Sequence, residues 1–235
     1  MAGGPRAVHR QDGNSAHRRS ANSVAAALIY LTGNKNKAWR HLLDEGTLGL
    51  LNTPASGYII ESGWTWAADN GCFNAQTYVG DDRWFDWLSR QDPSGCLFAT
   101  APDVVGDHAA TVKRSLPWLS RIRALGFPAA FVLQDGATVE DVPWDAFDVT
   151  FVGGSDSFKL GAADPLIVEA HRRDKRVHVG RVNSGKRFER FAHLGVESCD
   201  GTFLGFGPAT NLPRLLSWIR KQDTHEPLFE MHGVR

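Results

Sequence analysis

The stretch AAFVLQDGATVEDVPWDAFDVTFVGGS, residues 129–155, carries the pattern that decides the fold. Two short apolar runs, at 129–134 and 148–152, have the length and the composition of buried strands. A candidate short helix at 143–147 lies between them, and Gly153-Gly154-Ser155 ends the second run. A strand, a connection and a second buried strand indicate a βα unit, from which parallel sheets are built.

This alternation continues over most of the chain. Eight apolar runs have the length of strands, at 24–31, 48–52, 65–69, 96–101, 129–134, 148–152, 176–182 and 197–202. Candidate helices lie at 37–44, 82–90, 107–125, 143–147, 158–173, 185–194 and 208–221, whereas the connection after the second run indicates a loop with a small extra strand. Eight strands with helices between them in 235 residues predict an α/β fold, a compact (β/α)8 TIM barrel. An open doubly wound sheet is the alternative, although no GxGxxG turn follows the first run to favour it.

The chain is predicted to contain one folded domain. Residues 1–23 are rich in Gly, Ser, Asn, Arg and His and have almost no large apolar side chains, so we expect a flexible basic arm there. The barrel is expected to occupy residues 24–222, and residues 223–235 are expected to form a C-terminal tail.

Composition excludes several classes of protein. The 26 Lys and Arg balance 26 Asp and Glu, which excludes a polycationic protein that coats nucleic acid nonspecifically. The longest apolar run has eight residues, fewer than the roughly 18 that a transmembrane helix needs, so we expect no membrane association. The three cysteines are widely spaced and the histidines form no HExxH motif. We therefore expect no disulfide framework, no metal, no cofactor and a cytoplasmic location.

The basic residues are concentrated in one segment. Between His171 and Arg190 the chain has eight Lys or Arg against two acidic residues, an excess of about six positive charges. Such a segment is either a surface for nucleic acid or a solvated helix face with ion pairs. The charge pattern by itself leaves both interpretations open.

Acidic residues stand where several of the predicted strands end. Asp107, Asp135 and Ser155 are typical of helix caps and turns. Asp69 and Asp200 differ, because each lies in an apolar strand context and is followed closely by glycine. The active sites of (β/α)8 barrels lie at the carboxyl ends of the strands. Two carboxylates that face each other there suit glycosyl chemistry, in which one attacks the anomeric carbon and the other transfers a proton.

Five short strings resemble those of a known family. They are ADNGCF at 68–73, PDVVGD at 102–107, FVGGS at 151–155, HVGRVNS at 178–184 and GVESCDGT at 195–202. In this order and on successive strands, they resemble the tRNA-guanine transglycosylase superfamily. Within that superfamily the chain is most similar to the smaller enzymes that insert 7-deazaguanines into DNA.

The resemblance implies a role for each matching residue. Asp200 would be the nucleophile that attacks C1′ of a guanosine and forms a covalent glycosyl enzyme, and Asp69 would be the general acid and base. The residues expected to bind the purine base are Asp103, Gln134, Gly153, Gly154, Phe73, His178 and Gly180. Phe73 either stacks on the base or packs in the barrel. The residues expected to contact the nucleic acid are Arg181, Asn183, Lys186, Arg187 and Arg190.

One departure from the family favours DNA over tRNA. The tRNA enzymes of the family have a zinc subdomain with a Cys-x-Cys-x-x-Cys cluster, which this chain does not contain. The expected function is therefore a DNA-guanine transglycosylase that exchanges guanine for a 7-deazaguanine, 7-cyano-7-deazaguanine (preQ0) first among them. Its partners would be DNA, with the target base flipped out, and the free 7-deazaguanine, while a need for partner proteins stays open. The alternatives are a tRNA-guanine transglycosylase, a non-catalytic barrel that binds nucleic acid or nucleobases, and a glycoside hydrolase.

Overall fold

Eight parallel strands pair in chain order to close a barrel. The structure is a computed structural model and describes residues 27–222. The strands are β1 (Ile29–Thr32), β2 (Leu48–Asn52), β3 (Trp66–Ala68), β4 (Cys96–Thr100), β5 (Ala129–Leu133), β6 (Val149–Val152), β7 (Arg176–Val179) and β8 (Ser198–Gly201). The predicted (β/α)8 TIM barrel is confirmed. The predicted arm at 1–23 and the predicted tail at 223–235 lie outside the described residues.

Helices occupy the connections between the strands. The α-helices are α1 (Arg40–Asp44), α2 (Asp81–Leu88), α3 (His108–Ala124), α4 (Asp164–Arg172), α5 (Gly185–His193) and α6 (Pro208–Gln222). Short 3-10 helices lie at Lys37–Trp39, Trp144–Ala146 and Phe203–Gly205, and a π-helix lies at Phe158–Ala162. The side chain of Asp107 caps α3 by accepting from the Ala110 N–H, as expected for an aspartate in that position.

Several predicted boundaries are corrected by the backbone. The predicted strand at 176–182 ends at Val179, because Arg181 has a φ of +61°, which no strand residue adopts. The predicted helix at 158–173 divides into the π-helix and α4. The predicted helix at 143–147 is a single 3-10 turn, and the connection from 53 to 65 has turns where a small extra strand was expected.

The apolar residues pack in two layers. Inside the barrel lies a small cluster whose fully or almost fully buried members are Leu31, Ala67, Phe98, Ala130 and Val149. A larger cluster lies between the barrel and its surrounding helices and includes the buried side chains of Trp39, Trp66 and Trp84. The carboxyl ends of the strands are left to polar residues, which is where the interior opens to solvent. Among the helices within residues 27–222, none combines the length and the apolar character needed to cross a bilayer.

His108, the first residue of α3, makes the stability of the folded protein depend on pH. Its ring is buried and lies edge-on to Phe131, with 5.8 Å between the ring centroids. Burial lowers the pKa of His108, and the nearby charges of Asp141 and Asp107 oppose this effect without reversing it. The folded state therefore takes up the proton at a lower pH than the unfolded state does.

We expect the free energy of unfolding to fall as the pH falls below about 6.5, where an unfolded histidine becomes protonated. Replacing His108 with Phe should remove this part of the pH dependence, because phenylalanine binds no proton. Urea unfolding between pH 8 and pH 5, the two end points being about 1.5 units either side of the ordinary histidine pKa, measures the difference between wild type and variant. His41→Gln is the matched control, since His41 is exposed in α1. Equal pH dependence in wild type and His108→Phe would contradict the assignment.

Candidate active site

Three aspartates lie at the carboxyl ends of the strands and so share one mouth of the barrel. Asp69 follows β3 directly, Asp103 lies three residues beyond the end of β4, and Asp200 lies in β8. All eight strands are parallel, so these ends meet on the same side of the barrel. The charges of Asp200 and Asp103 both act on Asp69. The two carboxylates that the sequence singles out, Asp69 and Asp200, are thus brought into one site.

Asp200 is held by two polar groups inside the barrel. Its Oδ1 accepts from the Arg181 main-chain N–H at 3.2 Å, and its Oδ2 lies 3.0 Å from His178 Nε2. Because a carboxylate can only accept, His178 Nε2 donates to it, and Nδ1 of the same ring lies 2.9 Å from the Ser198 hydroxyl. The side chain of Asp200 is 13% exposed, so it still reaches the mouth.

His178 holds the Asp200 carboxylate in place by a hydrogen bond from a buried position. Its ring is fully buried between Phe98 and Phe151, with centroid distances of 4.7 and 4.5 Å. A ring in this position acts on a substrate only through Asp200, although the sequence predicted that it contacts a base. Ser198, which completes the chain of hydrogen bonds, is missed by the sequence analysis. Its signal is that it lies two residues before Asp200 in the same strand and therefore faces the same side.

The carboxyl group of Asp69 binds a proton more tightly than that of an ordinary aspartate. Burial contributes most to raising its pKa, the charges of Asp200 and Asp103 raise it as well, and the main-chain N–H groups of Asn70 and Gly71 lower it, which together leave a pKa of about 7. The Trp84 indole N–H donates to the main-chain oxygen of Asp69 at 3.2 Å and ties the end of β3 to α2. A carboxyl group with this pKa exchanges its proton near neutral pH, as a general acid or base must.

Asp103 and Gln134 lie beside the site and are bonded to each other. Gln134 Nε2 donates to Asp103 Oδ2 at 2.6 Å, and Asn70 Nδ2 donates to Asp103 Oδ1 at 2.7 Å. Gln134 Oε1 accepts from the Gly106 N–H at 2.9 Å. Both side chains are buried, and these contacts occupy the groups that the sequence assigned to a purine base. The network fixes the loop that follows Asp69.

Three glycines at the strand ends are constrained by neighbouring protein atoms. A Cβ on Gly153 would lie 2.7 Å from Val132, and one on Gly154 would lie 2.8 Å from Asp135 Oδ2 at a φ of +71°. A Cβ on Gly180 would lie 3.0 Å from the Phe151 ring and 3.4 Å from Asp200 Oδ2. The close contacts of Gly153 with Val132, of Gly154 with Asp135 and of Gly180 with Phe151 therefore favour glycine at these three positions.

The predicted nucleic-acid contacts are largely engaged with the protein. Arg187 pairs with Asp156 at 2.7 Å and Arg190 pairs with Asp164 at 2.6 Å. The Asn183 side-chain oxygen accepts from the Thr202 N–H at 2.8 Å, and Lys186 is exposed. Arg172 and Arg173 both pair with Glu169. Four of the eight basic side chains of this segment are therefore ion-paired, as one of its two interpretations describes, namely Arg172, Arg173, Arg187 and Arg190.

A cleft of about 190 Å³ opens beside Asp69. Its walls include Thr53, Pro54, Ala55, Phe73, Asn74 and Val79. Phe73 is 62% exposed and does not pack inside the barrel. Within residues 27–222, no group of three or more His, Cys, Asp or Glu is placed to hold a metal ion.

Comparison with known proteins identifies the fold. No family model matches the chain, and no curated protein matches it. Among solved structures, a chain of tryptophan synthase from M. tuberculosis is similar at 17% identity and a TM-score of 0.54, covering 86% of this chain and 94% of that one. A tryptophan synthase chain from Pyrococcus furiosus is similar at 15% identity and a TM-score of 0.54, covering 86% and 98%. A 4-hydroxy-2-oxoglutarate aldolase matches at 15% identity and a TM-score of 0.54, covering 85% and 94%.

These neighbours overturn the predicted function. They are synthases and an aldolase, so the prediction of a DNA-guanine transglycosylase that inserts a 7-deazaguanine is wrong. A physical reason is that parts of the five strings serve the barrel itself, as Gly153, Gly180 and Asp103 show. The neighbours themselves are enzymes. At such low identity the likeness shows the fold and transfers no activity.

We expect the pKa of about 7 at Asp69 to depend on the charge of Asp200. Replacing Asp200 with Asn keeps its shape but removes a negative charge, so the pKa of Asp69 should fall. Carboxyl ¹³C NMR of Asp69 as a function of pH measures this. Asp86→Asn is the control, because Asp86 lies exposed in α2 and pairs with Arg90. If Asp69 titrates at the same pH in Asp200→Asn as in the wild type, the two carboxyl groups are not coupled.

Proposed function

We propose that the protein is a hydrolase that cleaves a glycosidic bond, with Asp69 as general acid and Asp200 as the second carboxylate. The observation that carries the proposal is the raised pKa of Asp69, about 7, at the same barrel mouth as the hydrogen-bonded Asp200. Glycosidic cleavage needs one carboxyl group that keeps its proton near neutral pH and a second that is ionised.

Asp69 supplies the proton. With a pKa of about 7 it is protonated in about half of the molecules at pH 7, whereas an ordinary aspartate is almost fully ionised there. It lies beside the cleft that holds Phe73, so a leaving group in the cleft lies within its reach. Protonation of the glycosidic oxygen or nitrogen converts the leaving group into a neutral one.

Asp200 supplies negative charge where positive charge develops. Cleavage gives the sugar ring oxocarbenium character, and a fixed carboxylate stabilises that charge without having to reorganise. Water then forms the new C–O bond at the anomeric carbon and gives its proton to the carboxylate of Asp69, which restores the acid. The main-chain N–H of Arg181 and the ring of His178 hold the two oxygens of Asp200 in place. His178 is a positioning residue, because the buried ring touches Asp200 and lies below the mouth.

The test is hydrolysis of a panel of methyl glycosides, with neutral and acidic sugars, followed by release of reducing sugar, because an alcohol leaving group depends on the proton that Asp69 donates. We expect turnover of at least one member, and a loss of about 10² to 10⁴ in kcat for Asp69→Asn and for Asp200→Asn. The rate should fall as the pH rises through about 7, because Asp69 then loses the proton that it donates.

Asp86→Asn is the matched control and should keep the wild-type rate, since Asp86 lies on the surface of α2. Circular dichroism verifies that each variant is folded. Absence of turnover over the whole panel, or wild-type rates in both active-site variants, would contradict the proposal.

A further inference from the structure

A contact between Phe73 and Arg181 spans the mouth of the barrel. Phe73 follows β3 and Arg181 follows β7, and these strands lie four positions apart in a ring of eight. They therefore stand on opposite sides of the barrel. The guanidinium carbon of Arg181 lies 4.5 Å from the centroid of the Phe73 ring. Phe73 lines the same cleft as Asp69, and the main-chain N–H of Arg181 donates to Asp200.

The backbone of Arg181 is held in a costly conformation. Its φ of +61° is shared with only one other non-glycine residue among those described, Asp174. Such conformations persist where surrounding contacts impose them, and they concentrate at functional sites. Here the turn directs the main-chain N–H to Asp200 Oδ1 and the side chain to the mouth, where one N–H donates to the Gly154 oxygen at 2.9 Å.

The guanidinium of Arg181 forms no ion pair with a carboxylate in residues 27–222, unlike those of Arg187 and Arg190 in the same segment. Lys159 adds a second positive charge to this wall, because its buried ammonium donates to the Gly180 oxygen at 3.1 Å. Burial lowers the pKa of Lys159 and the charge of Arg181 lowers it further, whereas the charges of Asp156 and Asp200 oppose these effects. The nearest acidic partner of Lys159 is Asp156 at 3.4 Å, and Arg187 shares it.

We propose that Arg181 binds an anionic group of the substrate, a phosphate or a carboxylate, at the mouth of the barrel. The inference deepens the proposed glycosidic cleavage and rests on it for the site, since it specifies the substrate as an acidic or phosphorylated glycoside. A guanidinium presents a planar fork of donors that matches both anions. Stacking on Phe73 keeps the plane of the fork in one orientation before the ligand arrives.

The experiment is an NMR titration of the ¹⁵N-labelled protein with sulfate and, separately, with acetate, at constant ionic strength set with chloride. Sulfate represents a phosphate group and acetate a carboxylate, so the tighter ligand identifies the source of the charge. We expect saturable shifts of the Arg181 side-chain and Gly154 amide signals. Arg181→Gln should weaken binding by about 10-fold to 100-fold, because it removes charge-assisted hydrogen bonds.

Two further variants distinguish a specific anion site from nonspecific attraction of anions by positive charge on the surface. Arg181→Lys keeps the charge without the fork and should bind with intermediate affinity. Lys37→Gln removes an exposed cation from the β1 connection and should bind as the wild type does. Equal affinity in Arg181→Gln and the wild type, or equal losses in Arg181→Gln and Lys37→Gln, would overturn the inference.

The titration measures no turnover, so its failure differs from failure of the proposed hydrolysis. Saturable sulfate or acetate binding that depends on Arg181, together with an inactive glycoside panel, would retain the anion site and reject the hydrolase. Hydrolysis of neutral glycosides at rates unaffected by Arg181→Gln, with no saturable anion binding, would retain the hydrolase and reject the anion site.

Discussion

The pairing of β1 with β8 closes the barrel, and the candidate site depends on it. The register places Leu31 opposite Asp200 and Thr32 opposite Gly201. Side chains alternate between the two faces of a strand, so a slip of one residue would turn Asp200 out of the interior. Gly201 leaves room for the segment that follows β7, because a Cβ there would meet Asn183 Oδ1 and would lie 2.7 Å from the Val182 main-chain oxygen. This segment also bonds to β8, since the Val182 N–H donates to the Asp200 main-chain oxygen at 2.6 Å.

The closed barrel also explains why the carboxyl groups have unequal environments. Asp200 finds hydrogen-bond donors in the interior, whereas Asp69 is buried at the end of β3 beside two other negative charges. The raised pKa of Asp69 means that its ionised form is less stable in the folded protein than in the unfolded chain. Keeping a proton on Asp69 therefore lowers the free energy of unfolding at neutral pH. Functional sites commonly reduce stability in this way.

The closed barrel also determines which side chains of the site are buried among protein groups and which are exposed at the mouth. Asp103 and Gln134 form a hydrogen bond with each other, and the ring of His178 forms one with Asp200, so the side chains of all three are bonded to other parts of the protein. Phe73 and Arg181 reach over the mouth from opposite sides and are accessible from solvent. Residue type by itself does not distinguish these groups, because the sorting depends on which neighbour each side chain meets in three dimensions.

The sequence alone predicts where the eight strands lie along the chain. It also places Asp69 and Asp200 near the ends of two of them. Both predictions are possible because apolar periodicity and glycine turns act over a few residues. The sequence does not predict the partners of the polar groups. The stack of Arg181 on Phe73, the ion pair of Arg190 with Asp164 and the end of β7 at Val179 were decided by the tertiary structure. Each depends on contacts between distant parts of the chain, and those contacts exist only after the sheet has closed.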